Sequence, residues 1–174
     1  MIASPYKSFE TERLFIKPVA ETDAPFILQI LNTPKWLQFI GDRNVHTEEQ
    51  AAAYIKERML SQLERTGFGN NILVNKETNT AVGVCGLYQR PGLTVTDIGF
   101  AFLPENEGKG YGYEAASRLL QAAKEDFGLE KISAITVKEN YASQKLITKL
   151  GLQFIKTLTL EEGKDELLYY EIEL

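Results

Sequence analysis

The run Asp97-Ile-Gly-Phe-Ala-Phe-Leu-Pro-Glu-Asn-Glu-Gly-Lys-Gly-Tyr-Gly-Tyr-Glu-Ala115 decides how this chain is read. Its first half is apolar and strand-like, and it stops at Pro104, which has no N–H to give a sheet ladder. Gly108, Gly110 and Gly112 follow at alternate positions. A helical pattern then starts, with Ala115, Ala116, Leu119, Leu120, Ala123 and Phe127 on one face. Glycines permit positive φ and close approach, so successive N–H groups can converge on an anion. A helix start adds unpaired donors and the positive end of its dipole. The stretch reads either as a pyrophosphate cradle or as a flexible strand-to-helix connection.

Working outward, the 174 residues suit one domain over residues 1–174, with 44% hydrophobic and 25% charged residues as in ordinary globular chains. A net charge of −5 without a Lys/Arg cluster argues against a nucleic-acid surface. Mild acidity suits a cationic or amine substrate, and it is also the default of cytoplasmic proteins. The lone Cys85 lies in the apolar run Ala81–Leu87, where it reads as a small buried hydrophobe. One cysteine makes no disulfide and no thiolate zinc site, so no metal is expected. The lone His46 sits ahead of a helix, which leaves little material for Cys–His or Ser–His catalysis. No signal-like start and no apolar run of membrane length is visible, so a cytoplasmic setting without a membrane partner is expected.

Residues Arg13–Val19 read as a first strand, and Thr22 with Asp23 caps a short helix toward Leu31. Pro34 and Gly41-Asp42 read as breaks. Thr47-Glu-Glu-Gln50 is a capping box, and Ala52, Ile55, Met59 and Leu63 continue a helix that Gly67 ends. Ile72–Val74, Ala81–Leu87 and Val95–Leu103 are short β-prone runs with turns between them, which predicts an antiparallel meander. Ile132–Val137 suits a strand buried on both faces. Asn140 caps a helix that Gly151 stops, and a hairpin turning at Glu162–Asp165 closes the chain. The prediction is an α+β fold, a mixed sheet of about seven strands with about four helices on its faces.

Three glycine-loop chemistries compete. A P-loop needs Ser or Thr after its lysine, and Lys109 is followed by Gly110. Gly110-Tyr-Gly-Tyr-Glu-Ala115 satisfies a dinucleotide fingerprint, with Glu139 in the place of a ribose-binding acid. Pro104–Glu107 separates strand from glycines, however, whereas a dinucleotide strand runs straight into them.

The third accounts for both flanks. Glu107-Gly-Lys-Gly110-Tyr-Gly112, preceded by a strand and Pro104, resembles the phosphate loop of the GNAT (Gcn-related N-acetyltransferase) superfamily. Val137–Leu146 and Lys149–Phe154 resemble its second CoA-binding motif. Phe9-Glu-Thr-Glu-Arg-Leu14, with Asp23 and Gly83–Leu87, resembles the RimJ/RimL-type branch, the ribosomal-protein N-acetyltransferases and their relatives. Two positions depart from the pattern. Glu107 stands where Gln, Arg or Trp is usual, and it is expected to point outward. Ile147 stands where other branches place a general-acid tyrosine.

The resemblance implies direct acetyl transfer from acetyl-CoA to an amine acceptor, either a protein N-terminus or a small molecule such as a polyamine or antibiotic amine. It implies that Gly108, Lys109, Gly110 and Gly112 hold the pyrophosphate, with Tyr111 and Tyr113 shaping the channel. Phe102 and Leu103 would offer backbone N–H groups to the acetyl carbonyl, and Asn140 would bond the pantetheine arm. Ser143 would protonate the leaving thiolate, and Asp97, or next Glu105, would take the amine proton. Plainer roles stand beside these: Asn140 as a helix cap, Ser143 as an exposed helix position and Asp97 as an exposed strand-edge carboxylate. A non-catalytic acyl-CoA-binding module is the alternative function. A monomer and a homodimer are both open.

Overall fold

The computed structural model describes residues 4–161 and 163–174. Short alternating runs build its sheet: in β2 (Leu14–Pro18), Leu14 and Ile16 are fully buried while Phe15 and Lys17 face outward. β1 (Phe9–Glu10) pairs with β2, and β2 lies antiparallel to β3 (Asn70–Asn75). β4 (Ala81–Tyr88) and β5 (Asp97–Phe102) continue this antiparallel meander. The chain then crosses over through helix α5 (Tyr111–Glu125), so β6 (Lys131–Val137) joins β5 in parallel. β8 (Leu167–Glu173) inserts between β6 and β7 (Gln153–Leu158), antiparallel to both. The order is β1-β2-β3-β4-β5-β6-β8-β7.

Helices bury both faces. On one, α5 and α6 (Tyr141–Lys149) press Ala115, Ala116, Leu119, Ala122, Ala123 and Ile147 onto Leu14, Leu73, Cys85, Ile98 and Ile132. The alanines let α5 lie close to the strands. On the other face, α1 (Ala24–Leu31), α3 (Glu48–Tyr54) and the residue after it bring Ile27, Ile30, Leu31, Ala51 and Ile55 onto Ile72, Val84 and Leu103. Each fully buried Leu or Ile contributes about 1.5–3 kcal/mol, so these two clusters hold the layers together.

Several details differ from the sequence reading. Among the described residues the sheet has eight strands, the extra one being the two-residue β1, too short to show a period. Pro34 begins a helix, α2 (Pro34–Phe39), instead of breaking the chain. Thr33 caps it, and proline at the first helical position loses no bond. The capping box is displaced: Thr47 Oγ1 accepts from the Gln50 N–H, but Gln50 Oε1 accepts from the His46 N–H. A π-helical stretch, Ile55–Leu60, joins α3 to α4 (Ser61–Thr66), and Gly67 ends the run at φ +81°. The hairpin turn expected at Glu162–Asp165 includes Glu162, which lies outside the described residues.

Candidate active site

β5 and β6 pair at one position, Asp97 opposite Ser133, where the Ser133 N–H donates to the Thr96 carbonyl at 2.9 Å. Beyond it β5 runs on to Phe102 and β6 to Val137 without pairing, so a gap opens between them. The burial of β5 follows the gap. Asp97 and Ile98 are buried, and Gly99 to Phe102 are partly exposed.

The ladder decides which backbone groups face this gap. The Leu103 N–H donates to the Val82 carbonyl of β4 at 3.2 Å. Antiparallel alternation then turns the N–H groups of Phe100 and Phe102 away from β4 and into the gap. This corrects the reading of Leu103: its donor is already used, its side chain is 5% exposed, and Phe100 takes its place.

At the open end of β5 a 3₁₀ turn, Pro104–Asn106, leads to the glycine loop. Gly108 and Gly110 have φ of +71° and +82°, where a side chain would be strained. Gly112 is needed for space, since a Cβ there would meet Leu146 of α6 at 2.8 Å and Phe102 at 3.4 Å. The first helical bond of α5 runs from the Glu114 N–H to the Gly110 carbonyl, so the N–H groups of Tyr111, Gly112 and Tyr113 have no helical acceptor. Those of Gly108, Lys109 and Gly110 have no backbone partner among the described residues either. Six consecutive donors thus stand at the positive end of α5.

Glu107 is half-buried and pairs with Lys35 of α2 at 2.7 Å, so its charge is offset within the protein. The Lys109 side chain is exposed. Tyr111 does not shape a channel with its ring. The ring packs in the core, stacks under Arg13 at 4.6 Å, and its hydroxyl accepts from Asn75 Nδ2 at 2.9 Å. Only its N–H belongs to the loop's donors. Tyr113 is exposed, with Lys149 Nζ 4.3 Å above its ring.

A clamp that sequence reasoning missed holds the loop. Arg13 Nη1 donates to the Lys109 carbonyl at 2.9 Å, and Arg13 Nε and Nη2 both reach Glu114 Oε2 at 2.7 Å. Glu114 Oε1 also accepts from Thr11 Oγ1 and the Arg13 N–H. Burial alone would push the Glu114 carboxyl up, but these bonds outweigh it and hold the group below its ordinary value. The partners are 101 residues apart, a span no motif spacing reports.

On α6 the Asn140 side chain is a cap, its Oδ1 accepting from the Ser143 N–H at 3.2 Å. Its Nδ2 has no acceptor among the described residues. Ser143 is partly buried, one turn before Leu146 on the helix face that meets Gly112. Ile147 is 1% exposed and belongs to the core, so position 147 offers nothing to the gap.

Asp97 is not the exposed carboxylate of the plainer reading: it is 1% exposed, at the closed end of the gap. Its two oxygens share Arg90 Nε–H at 2.9 and 3.0 Å. Burial pushes Asp97 up and Arg90 pulls it back, leaving it above its ordinary value. Five residues separate it from Phe102, about 17 Å of strand. Asp97 therefore holds Arg90, and a proton-accepting role would require Arg90 to swing out. Glu105, on the 3₁₀ turn, is exposed. Cys85 is buried, and burial pushes its thiol up to about 12, far from a nucleophile's range. No group of three or more metal-ligating side chains occurs among the described residues, and none of their helices is long and apolar enough to cross a membrane.

Comparison with known proteins agrees with this geometry. The acetyltransferase (GNAT) domain model matches residues 13–153, and the chain belongs to that family of acetyltransferases. It is 26% identical over 145 residues to the uncharacterized N-acetyltransferase YoaA of Bacillus subtilis, covering 83% of this chain and 81% of YoaA. An acetyltransferase from Agrobacterium tumefaciens shares the fold at a TM-score of 0.82 and 20% identity, covering 100% of this chain and 98% of that one. RimL, a ribosomal α-N-protein acetyltransferase in complex with coenzyme A, shares it at a TM-score of 0.81 and 14% identity, covering 97% and 98%.

Proposed function

We propose that this chain moves an acetyl group from acetyl-CoA directly to a primary amine, and that its preferred acceptor is the α-amine of a peptide or protein N-terminus, as in the RimJ/RimL-type branch. The carrying observation is the row of six N–H groups without a backbone partner just beyond the open end of β5, where Phe100 and Phe102 line the gap. A pyrophosphate fits the row, and the extended pantetheine arm fits the gap as a pseudo-strand. RimL, of the same fold, is known in complex with coenzyme A.

In this reading the donors of Gly108 to Gly112 and the Lys109 ammonium hold the pyrophosphate. The Arg13–Glu114 clamp fixes the loop. Asn140 Nδ2 donates to a carbonyl of the arm while Oδ1 keeps the cap. The Phe102 N–H bonds the thioester oxygen and strengthens as that oxygen becomes an oxyanion. The amine nitrogen attacks the carbonyl carbon, the C–S bond breaks, and Ser143 Oγ gives the sulfur a proton that it regains from solvent. The nitrogen's extra proton goes to water.

An α-amine suits a gap whose buried carboxylate, Asp97, is held by Arg90. Its pKa of about 7.7–8.0 leaves about a third of it unprotonated at pH 7.5, against about one in a thousand for a lysine side chain near 10.4. The non-catalytic module draws support from Ile147, which places no phenol near the sulfur. The separating experiment follows CoA thiol release with N-terminally free and N-terminally blocked peptides, with mass spectrometry of the product. Amine-dependent release with acetyl on the α-nitrogen is expected. CoA binding without release across the panel would replace the transferase with the module.

A further inference from the structure

Between the end of α4 and the β4–β5 connection lies an open cleft of roughly 410 Å³, lined by Arg65, Gln89, Arg90, Leu93, Thr94 and Thr96. It lies beside the closed end of the gap, because Thr96 is the residue whose carbonyl receives the Ser133 N–H.

Arg90 is built into this cleft. Asp97 holds its Nε, and its guanidinium stacks on the Tyr88 ring at 5.0 Å. Tyr88 is itself tied down, its hydroxyl donating to Asn70 Oδ1. Room for that ring comes from two glycines: a Cβ on Gly86 would meet the Tyr88 hydroxyl at 2.8 Å, and one on Gly99 would meet the ring at 2.9 Å. A position 3.7 Å from Arg90 Nη2 would be taken by the Gly99 Cβ, so the guanidinium reaches over β5. Neither Nη has an acceptor among the described residues, and the side chain is 35% exposed. A guanidinium fixed through Nε with its fork free is preorganised for a carboxylate or phosphate. Arg65 adds a second guanidinium and takes part in none of the ion pairs among the described residues. None of the described residues that line the cleft is acidic, and the Asp97 carboxylate is shut away behind Arg90.

The floor between this cleft and the open end of the gap is low. Asp97, Gly99 and Ala101 alternate onto the face of β5 that α3 covers in part, and beyond Asp97 the side chains are hydrogen and methyl. From Gly99 to Phe102 is three residues, about 10 Å.

We infer that the cleft binds an anionic group of the acceptor, so that the substrate is a primary amine carrying a carboxylate or phosphate about 10 Å away. This rests on the acetyl-transfer reading above and narrows it. Amine and anion so spaced match a peptide N-terminus with an acidic residue two or three positions in, or a small acidic amine of that length. A polyamine would set cation against cation.

The test compares acceptors that differ in the anion alone, by CoA thiol release: Ala-Gly-Glu-Glu-Gly against Ala-Gly-Gln-Gln-Gly, and 6-aminohexanoate against hexylamine. The acidic peptide is expected to show a KM about tenfold lower with a similar kcat, and Arg65→Glu to shrink that ratio below about threefold. A preference confined to 6-aminohexanoate would assign the anion to a small molecule. Equal KM values in both pairs, a better hexylamine, or a ratio that survives both Arg65→Glu and Arg90→Lys would overturn the inference. Should no amine turn over, glutarate is titrated into the wild type and Arg65→Glu, with CoA binding measured alongside. Glutarate binding lost in the variant keeps the anion cleft while the transferase reading fails. No glutarate binding to the wild type sinks the cleft itself.

Discussion

The two ends of β5 differ in almost every respect. At Asp97 the strand is paired on both sides, and its carboxylate is buried and bonded to Arg90 Nε–H. At Phe102 the strand has one neighbour, its N–H faces an open gap, and the next turn delivers six more unpaired donors. A sheet tolerates unpaired N–H groups where something is meant to take them, because burying them unmatched costs about 1–3 kcal/mol each. The closed end is structure that positions; the open end is unfilled hydrogen-bonding capacity.

Breaking the closed end should have the largest effect. Asp97→Ala strands Arg90 beside the Tyr88 ring, and unfolding free energy from urea titration is expected to fall by about 3 kcal/mol, the scale for an orphaned partner of a buried pair. If stability holds and only turnover drops, Asp97 is acting on the substrate and the contrast between the two ends is wrong. Gly110→Val comes next. At φ +82° a β-branched residue is strained by about 2 kcal/mol, so the loop should shift and CoA affinity drop by about thirtyfold in calorimetry. Unaltered affinity would show that the loop donors do not hold the pyrophosphate.

Ser143→Ala probes the open end alone. Turnover should fall by about tenfold with little change in CoA affinity, a modest factor because a thiolate is a good leaving group. An unchanged kcat would remove Ser143 from the mechanism. The smallest effect belongs to the Glu114 clamp. Its carboxyl is held below the ordinary value of 4.5, so the stability it contributes is present above that pH and lost as pH falls through the lower, folded value. Glu114→Gln is expected to cost about 1 kcal/mol at pH 7 and progressively less as pH falls below 4.5, read by denaturant titration at pH 7 and at a series of acidic pH values. A loss that does not change with pH would mean the charge does not matter to the clamp.

How much of this was legible beforehand depended on the range of the interaction. Gly67 and Gly151 are readable as helix ends and Gly110 as a loop residue, and each has positive φ. Asn140 capping Ser143 lies within one turn of chain, so it too was visible. Thr33-Pro34 carries a helix-start signal, yet Pro34 by itself reads equally as a break, because proline marks both. Arg90 lies in the turn between two of the β-prone runs, and nothing adjacent to it in sequence announces that its guanidinium lies over β5. Leu103 was misassigned for a related reason: which way an N–H points in a ladder depends on the partner strand's register.

The local sequence by itself determined the glycine loop, the caps and the alternating strands, because φ preferences and side-chain periodicity act over a few residues. Only the tertiary structure decided that β5 and β6 part after a single pair, that Arg13 reaches Glu114 across 101 residues, and that Glu107 finds Lys35. Those features depend on where the sheet and its covering helices carry distant segments, and no short stretch of sequence contains that information.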